Sequence, residues 1–377
     1  MRPTSSIAGF SRVRKAGSPA RFAGGALAIL GAALTAPPAA PAQGDSGTRK
    51  RAIRDEITPE LRLGVSRGFD ALLAGEDTKG ELDPTFPVAA NALGGLAFLA
   101  GGYTDTTGPL AYTQALKRIT TALLARQNPK GYFDDRKSLM YGHGFATLYL
   151  AELYGTTANR NAELREALER AVRVIEVSQS DTGGWDYGPA PEFDGPRGSR
   201  HRTSDTSITV CQTMALRAAR GLGIRVEEAV IARARKYIAE AQNDDGGFSY
   251  RNQLGGRYFR DSSAFPRSSA GVCILYSLGS YDTEAIRKGF DYVNRNYRWP
   301  WSNKFPYYAH YYCAQAMFQA GGTYWAEYFT WVRDRLLERQ KPDGSWRAAL
   351  LENDTQATAM ALIILQLPYR FLPIHER

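Results

Sequence analysis

The chain has 377 residues, 44% of them hydrophobic, and a formal net charge of +9. The hydrophobic fraction is sufficient for a large folded core. Because five basic residues and no acidic residue lie within the first 42 positions, the remainder carries only about +4, which excludes the strongly basic footprint of a nucleic-acid-binding protein.

Residues 1–42 predict a secretory signal. A basic stretch precedes an apolar run at residues 22–34, and Ala40-Pro41-Ala42 supplies a small-x-small cleavage motif. An uncleaved membrane anchor is the alternative. Residues 43–57 are polar and predict a flexible lead-in. We therefore expect an exported protein, periplasmic or extracellular, whose three cysteines are too few and odd in number for a disulfide framework.

From about residue 58 the chain alternates between two helical patterns. In the first pattern, apolar residues recur every three or four positions among charged ones, which predicts an outer helix with one solvent-exposed face. The other is poor in charge and apolar nearly all round, which predicts a buried inner helix. Outer helices are predicted near residues 61–73, 109–127, 162–179, 226–242, 283–297 and 324–340, and inner helices near 88–100, 140–154, 205–216, 268–278, 307–320 and 354–365.

One short motif recurs between outer and inner segments: a glutamine, turn-forming residues, glycine and an aromatic residue, as in QSDTGGW at residues 179–185. These residue types predict a rigid corner in which glycine takes positive φ and the glutamine amide reaches free backbone carbonyls. A period of about 50 residues predicts a stacked array, and six pairs can close into a ring. We therefore predict an all-α (α/α)6 toroid over residues 58–377. The predicted corner residues are Gln127, Gln179, Trp185, Gln242, Phe248, Gln340 and Trp346, and a further corner that lacks the glutamine is predicted near residues 295–299.

This motif resembles the Gln-Trp motif of squalene–hopene and oxidosqualene cyclases and the repeats of protein prenyltransferase β-subunits. Over residues 60–366 the chain resembles the prenyltransferase and squalene-oxidase repeat superfamily, which implies a toroid around a cavity for a prenyl or triterpenoid chain. The resemblance places the cyclase acid motif, Asp-x-Asp-Asp, at residues 203–207, where only Asp205 is acidic. The alternative role of Asp205 is a helix N-cap.

Other signatures of the superfamily are missing from the sequence. The Asp-x-Cys zinc pair of the prenyltransferases and the Cys-Gly-Glu-Gln thioester run do not occur, and no phosphate-binding glycine motif is present. His310 and Cys313 have the spacing of two ligands on one helical face, but a third ligand is not evident. We predict no metal and no cofactor.

Polar residues near the starts of the inner helices define the candidate site. Alignment of the inner helices puts His143, Asp205, Ser268, His310 and Asp354 in one row, with Thr147, Thr209 and Thr358 one turn deeper. These residues could form an acid/base site, or they could be caps and packed polar groups. The predicted catalytic residues are Asp205, His143, His310 and Asp354, and the predicted cavity or ligand-binding residues are Tyr141, Phe145, Thr209, Trp301, Tyr307, Tyr308 and Tyr311.

Three functions are compatible with these features. The first is a terpenoid-cyclase-like protein that binds or transforms a prenyl or triterpenoid chain, with a degenerate acid motif. The second is a non-catalytic exported module that binds a protein or a polysaccharide. The third is a carbohydrate-active toroid enzyme with Asp205 and Asp354 as its carboxylates. A deep apolar cavity would favour the first, whereas a filled centre would favour the second.

Overall fold

The structure is a computed structural model that describes residues 56–156, 162–195, 203–251, 253–254, 257–258, 260–349 and 353–375. The predicted signal and nearly all of the predicted lead-in lie outside the described residues. The described residues form twelve α-helices in six hairpins, each an outer helix followed by an inner one. The outer helices are α1 Pro59–Gly75, α3 Leu110–Leu124, α5 Ala162–Val177, α7 Glu228–Ala241, α9 Glu284–Asn296 and α11 Gly322–Arg339. The inner helices are α2 Pro87–Ala100, α4 Leu139–Thr156, α6 Thr206–Gly221, α8 Phe265–Ser277, α10 Pro306–Ala320 and α12 Asp354–Gln366.

The predicted distinction between outer and inner helices is confirmed by burial. In α5, Leu164, Leu168 and Ile175 are buried while the arginines and glutamates between them face solvent. Every residue of α2 is buried. Between α7 and α8 a short antiparallel ribbon pairs β1 Gln253–Leu254 with β2 Arg257–Tyr258. Within the described residues, no helix has the length and apolar character needed to cross a bilayer.

The inner helices form a closed ring. Each contacts the next inner helix along the chain, and the last, α12, contacts the first, α2. The outer ring closes at the same place, since Gln340 Nε2 donates to the backbone oxygen of Gly64 in α1 at 2.7 Å. The predicted all-α toroid of six hairpins is therefore confirmed.

Glutamine corners join four of the six hairpins to the next outer helix. Gln179 Nε2 donates to Gly183 O within its own corner at 2.7 Å and to Val230 O in α7 at 2.9 Å. Gly183 has a φ of +95°, and a Cβ there would lie 2.4 Å from the backbone oxygen of Arg233, so only glycine fits. The same pair of glutamine bonds recurs at Gln127, Gln242 and Gln340.

The end of the ring formed by the carboxyl ends of the inner helices is covered by residues 367–375. Two short 3-10 helices, Leu367–Tyr369 and Pro373–His375, pack there. The backbone N–H of Ile374 donates to Glu152 Oε2 at 3.3 Å, and Gln319 Nε2 donates to His375 O at 3.3 Å. A pocket of only about 20 Å³ lies between this segment and helices α6, α8 and α10.

Candidate functional site

A cavity of about 590 Å³ lies among the inner helices α2, α4, α10 and α12 and opens at the amino ends of these helices. A volume of this size suits a small-molecule ligand. Most of its wall is aromatic or aliphatic, with a few polar side chains near the mouth. The lining residues are Phe86, Ala89, Leu93, Lys137, Ser138, Tyr141, Phe145, Tyr187, Phe305, Tyr308, Asn353, Gln356, Ala357 and Met360.

The deepest lining side chains of the cavity are apolar and lie about two helical turns below the mouth. Leu93, Phe145 and Met360 are each the seventh residue of their helix, so they lie about 9 Å below the helix start at a rise of 1.5 Å per residue. Phe145 packs edge-to-face on Tyr311, with ring centroids 6.1 Å apart. Tyr311 is thus below the cavity rather than among its lining residues, which corrects the prediction that it faces the ligand.

Asp205 is buried behind the cavity wall. It is the N-cap of α6, where its Oδ1 accepts hydrogen bonds from the backbone N–H of Ser207 at 2.7 Å and from Ser207 Oγ at 2.5 Å. Burial raises the pKa of Asp205, and hydrogen bonding by Ser207 opposes the rise. The predicted place of Asp205 at the mouth is therefore corrected, since it is not a lining residue.

Tyrosines connect Asp205 to the cavity. Tyr141 Oη donates to Ser207 Oγ at 2.5 Å, while the ring of Tyr141 lines the cavity. Tyr187 Oη and Tyr250 Oη are 2.5 Å apart, and the rings of Tyr141 and Tyr187 meet edge-to-face at 5.9 Å. The Asp205 carboxylate thus holds Ser207, which in turn fixes the orientation of a tyrosine ring in the wall.

His143 serves the corner of its own hairpin. It is fully buried, its Nδ1 accepts from the backbone N–H of Phe133 at 3.2 Å, and its Nε2 contacts Ala171 O in α5 at 3.0 Å. Burial lowers the pKa of His143 to about 4, so the imidazole is neutral at pH 7. The predicted acid/base role at the mouth is not supported, because both ring nitrogens are bonded away from the cavity.

His310 is likewise inside the wall. Its ring stacks on Trp301 with centroids 4.6 Å apart, and its Nδ1 is 3.2 Å from Tyr328 Oη. Burial lowers the pKa of His310 to about 3. Trp301 packs edge-to-face against Tyr307 at 5.1 Å. Neither aromatic residue lines the cavity. The prediction that Trp301 and Tyr307 contact a ligand is therefore corrected, because both rings pack in the core.

Asp354 lies at the outer surface of the ring. Its Oδ1 accepts from the backbone N–H of Ala348 at 2.7 Å, and its Oδ2 is 3.7 Å from Lys341 Nζ. The cap of α12 is Asn353, whose side chain accepts from the amides of Thr355 and Gln356. The prediction that Asp354 faces the cavity mouth is therefore wrong in geometry: its carboxylate is exposed and does not line the cavity.

Two residues of the row predicted at the mouth, His143 and Ser268, and two predicted one turn deeper, Thr209 and Thr358, instead accept hydrogen bonds from the corner amides. Thr209 Oγ1 accepts from the backbone N–H of Trp185 at 3.1 Å, so it does not face the ligand. Equivalent bonds link the corner amides to Asn91, His143, Ser268 and Thr358. These inner-helix side chains fix the corners from within.

The cavity lies on the opposite side of the same helices. A residue two positions before a corner acceptor is turned by about 200° around the helix, since each residue turns by about 100°. Tyr141 and Gln356 stand two positions before His143 and Thr358, and both line the cavity. Of the predicted cavity residues, Tyr141, Phe145 and Tyr308 line the cavity. Ala89 and Gln356 also line it and were not predicted from the sequence, although their position two residues before a corner acceptor could have identified them.

No protein-family model and no curated protein matches the chain. Among solved structures it is similar to type II terpene cyclase MstE from Scytonema in complex with geranylgeranyl dihydroxybenzoate, at 13% identity and a TM-score of 0.56, over 86% of this chain and 100% of that one. It is also similar to the GH76 α-mannanase of Bacteroides thetaiotaomicron, at 10% identity and a TM-score of 0.61, over 85% and 98%. An inactive variant of the α-1,6-mannanase GH76A of Salegentibacter, in complex with α-1,6-mannotriose, matches at 11% identity and a TM-score of 0.59, over 82% and 99%.

Similarity at these identities shows the fold alone. It supports a helical toroid fold, and it does not single out the squalene cyclases that the corner motif resembles, because mannanases match as well.

Proposed function

We propose that the cavity among α2, α4, α10 and α12 binds a prenyl or terpenoid chain. The observation that carries this proposal is the cavity itself, which opens at the amino ends of the inner helices and is lined mainly by apolar and aromatic side chains. Such a wall gains free energy by removing hydrocarbon from water, and aromatic faces suit the double bonds of a prenyl chain. A terpene cyclase with a geranylgeranyl ligand is among the structural neighbours.

The composition of the wall weighs against glycoside hydrolysis. That reaction needs two carboxyl groups flanking the sugar, about 5 to 9.5 Å apart. None of the described lining residues is aspartate or glutamate. The two aspartates considered for this role are separated, with Asp205 buried behind Tyr141 and Asp354 exposed on the outer surface.

The proposal is confined to binding. Ser207 and Tyr141 lie between the Asp205 carboxyl group and the cavity, so Asp205 has no direct contact with a bound chain. Alkene protonation would require an acid at the cavity surface. The alternative function, an exported module that binds protein or polysaccharide, does not require an apolar cavity.

Lipid extraction of the purified protein followed by mass spectrometry tests the proposal. We expect a co-purifying prenyl or terpenoid compound, and saturable binding of geranylgeraniol by the lipid-stripped protein. A protein that carries no lipid and fails to bind geranylgeraniol, farnesol or squalene would contradict it.

A further inference from the structure

Two polar side chains at the cavity mouth have no partner for their polar groups among the described residues. The Lys137 side chain is exposed and makes no ion pair, and the Gln356 side-chain amide is half-buried and makes no hydrogen bond. Lys137 precedes α4 and Gln356 is in the first turn of α12, so both line the mouth rather than the depth of the cavity.

The other polar groups of the wall are already bonded within the protein. Ser138 Oγ donates to Asp135 Oδ2 at 2.5 Å. Asn353 accepts from two backbone amides and donates to Asp83 Oδ2 at 2.8 Å. The hydroxyl of Tyr141 donates to Ser207. Lys137 and Gln356 are therefore the polar groups of the mouth that remain available to a ligand.

The carboxylates near the mouth do not neutralise Lys137. Asp83 accepts from the backbone N–H groups of Thr85 and Phe86, beside the start of α2. Asp135 accepts from the backbone N–H groups of Val88 and Ser138, at the starts of α2 and α4. Each is compensated by N–H donors and the positive end of a helix dipole. Neither carboxylate lines the cavity, and neither pairs with the Lys137 ammonium.

We propose that the mouth is a subsite for an anionic headgroup, a carboxylate or a phosphate, at the end of the hydrocarbon chain. Lys137 supplies the charge and the Gln356 amide supplies a hydrogen-bond donor, while the chain extends toward Phe145 and Met360. This inference rests on the proposed function, because the headgroup reaches the mouth only when the attached chain occupies the cavity. The ligand class is thus an acidic prenyl amphiphile rather than a neutral hydrocarbon.

Calorimetric titration with three ligands of equal chain length tests the subsite: geranylgeraniol, geranylgeranoic acid and geranylgeranyl monophosphate. We expect the two anions to bind about tenfold more tightly than the alcohol, the effect of about 1.4 kcal/mol for a charge-assisted contact. Lys137→Gln should remove this preference, so that the two anions bind about as tightly as the alcohol does. Gln356→Leu should reduce it about threefold, since the charge remains.

Lys117→Gln is the matched control, because Lys117 is an exposed lysine on outer helix α3. It should keep the preference, and thermal unfolding should show that all variants are folded. A preference for only one anion identifies that group as the headgroup. Equal binding of all three ligands, unchanged by Lys137→Gln, would overturn the headgroup subsite and leave the proposed function standing. Failure of all three, alcohol included, would overturn both.

Discussion

The side-chain amide of Gln340 donates a hydrogen bond to the backbone oxygen of Gly64 at 2.7 Å, across 276 residues of sequence. This bond joins the last outer helix to the first, and the same amide donates to Gly344 O in its own corner at 2.8 Å. The corner motif that repeats along the chain thereby also closes the ring.

Gln340→Ala should lower the free energy of unfolding by about 1 to 3 kcal/mol, because two partly buried carbonyls lose their donor. Urea denaturation followed by circular dichroism measures the change. Gln114→Ala, at an exposed position of α3, is the control and should stay within about 0.5 kcal/mol of the wild type. Equal stability of the two variants would show that the closing bond contributes nothing.

Stability should fall as the pH drops from about 6.5 toward 4. Burial lowers the pKa of His143 to about 4 and that of His310 to about 3, so the unfolded chain binds protons in this range that the folded chain excludes. Each histidine should contribute a slope of about 1.4 kcal/mol per pH unit. Denaturant unfolding at several pH values should show a shallower slope for His143→Gln, and an unchanged slope would contradict the assignment.

Ala357→Phe should weaken geranylgeraniol binding by about tenfold or more, because the ring would occupy the cavity that Ala357 lines. Leu110→Phe is the control, since Leu110 is 72% exposed on an outer helix. Fluorescence titration measures both. If Ala357→Phe is folded and binds as the wild type does, the chain is bound elsewhere.

Asp205→Asn should retain chain binding, because an amide can still cap α6 and accept from Ser207. Asp205→Ala should lower the free energy of unfolding by about 1 to 3 kcal/mol and weaken binding, since Ser207 and Tyr141 lose their support. Stability and affinity measured for both variants check this. Product analysis by gas chromatography adds a second readout: conversion of a prenyl substrate that Asp205→Asn abolishes would assign a catalytic role to Asp205.

We predict from residues 1–42 that the protein is exported and that cleavage after Ala42 leaves Gln43 as its amino terminus. Cell fractionation and intact-mass measurement of the purified protein test both parts. A full-length mass in the membrane fraction would support the uncleaved anchor instead.

The sequence by itself determined the helix types, the corners and the closed ring. The periodicity of apolar residues distinguishes solvent-exposed outer helices from buried inner ones, and the turn-forming residues of QSDTGGW predict a corner. Both signals can be read from a short stretch of sequence. Which side of an inner helix faces the cavity is not local. A polar residue near a helix start can cap the helix, accept a corner amide or face a ligand, and Asp205, His143 and Gln356 do these different things. The tertiary structure decided among them, because the packing of the neighbouring corner and outer helix fixes the rotation of each inner helix. In α2, α4 and α12 this rotation turns the residue two positions before the corner acceptor toward the cavity.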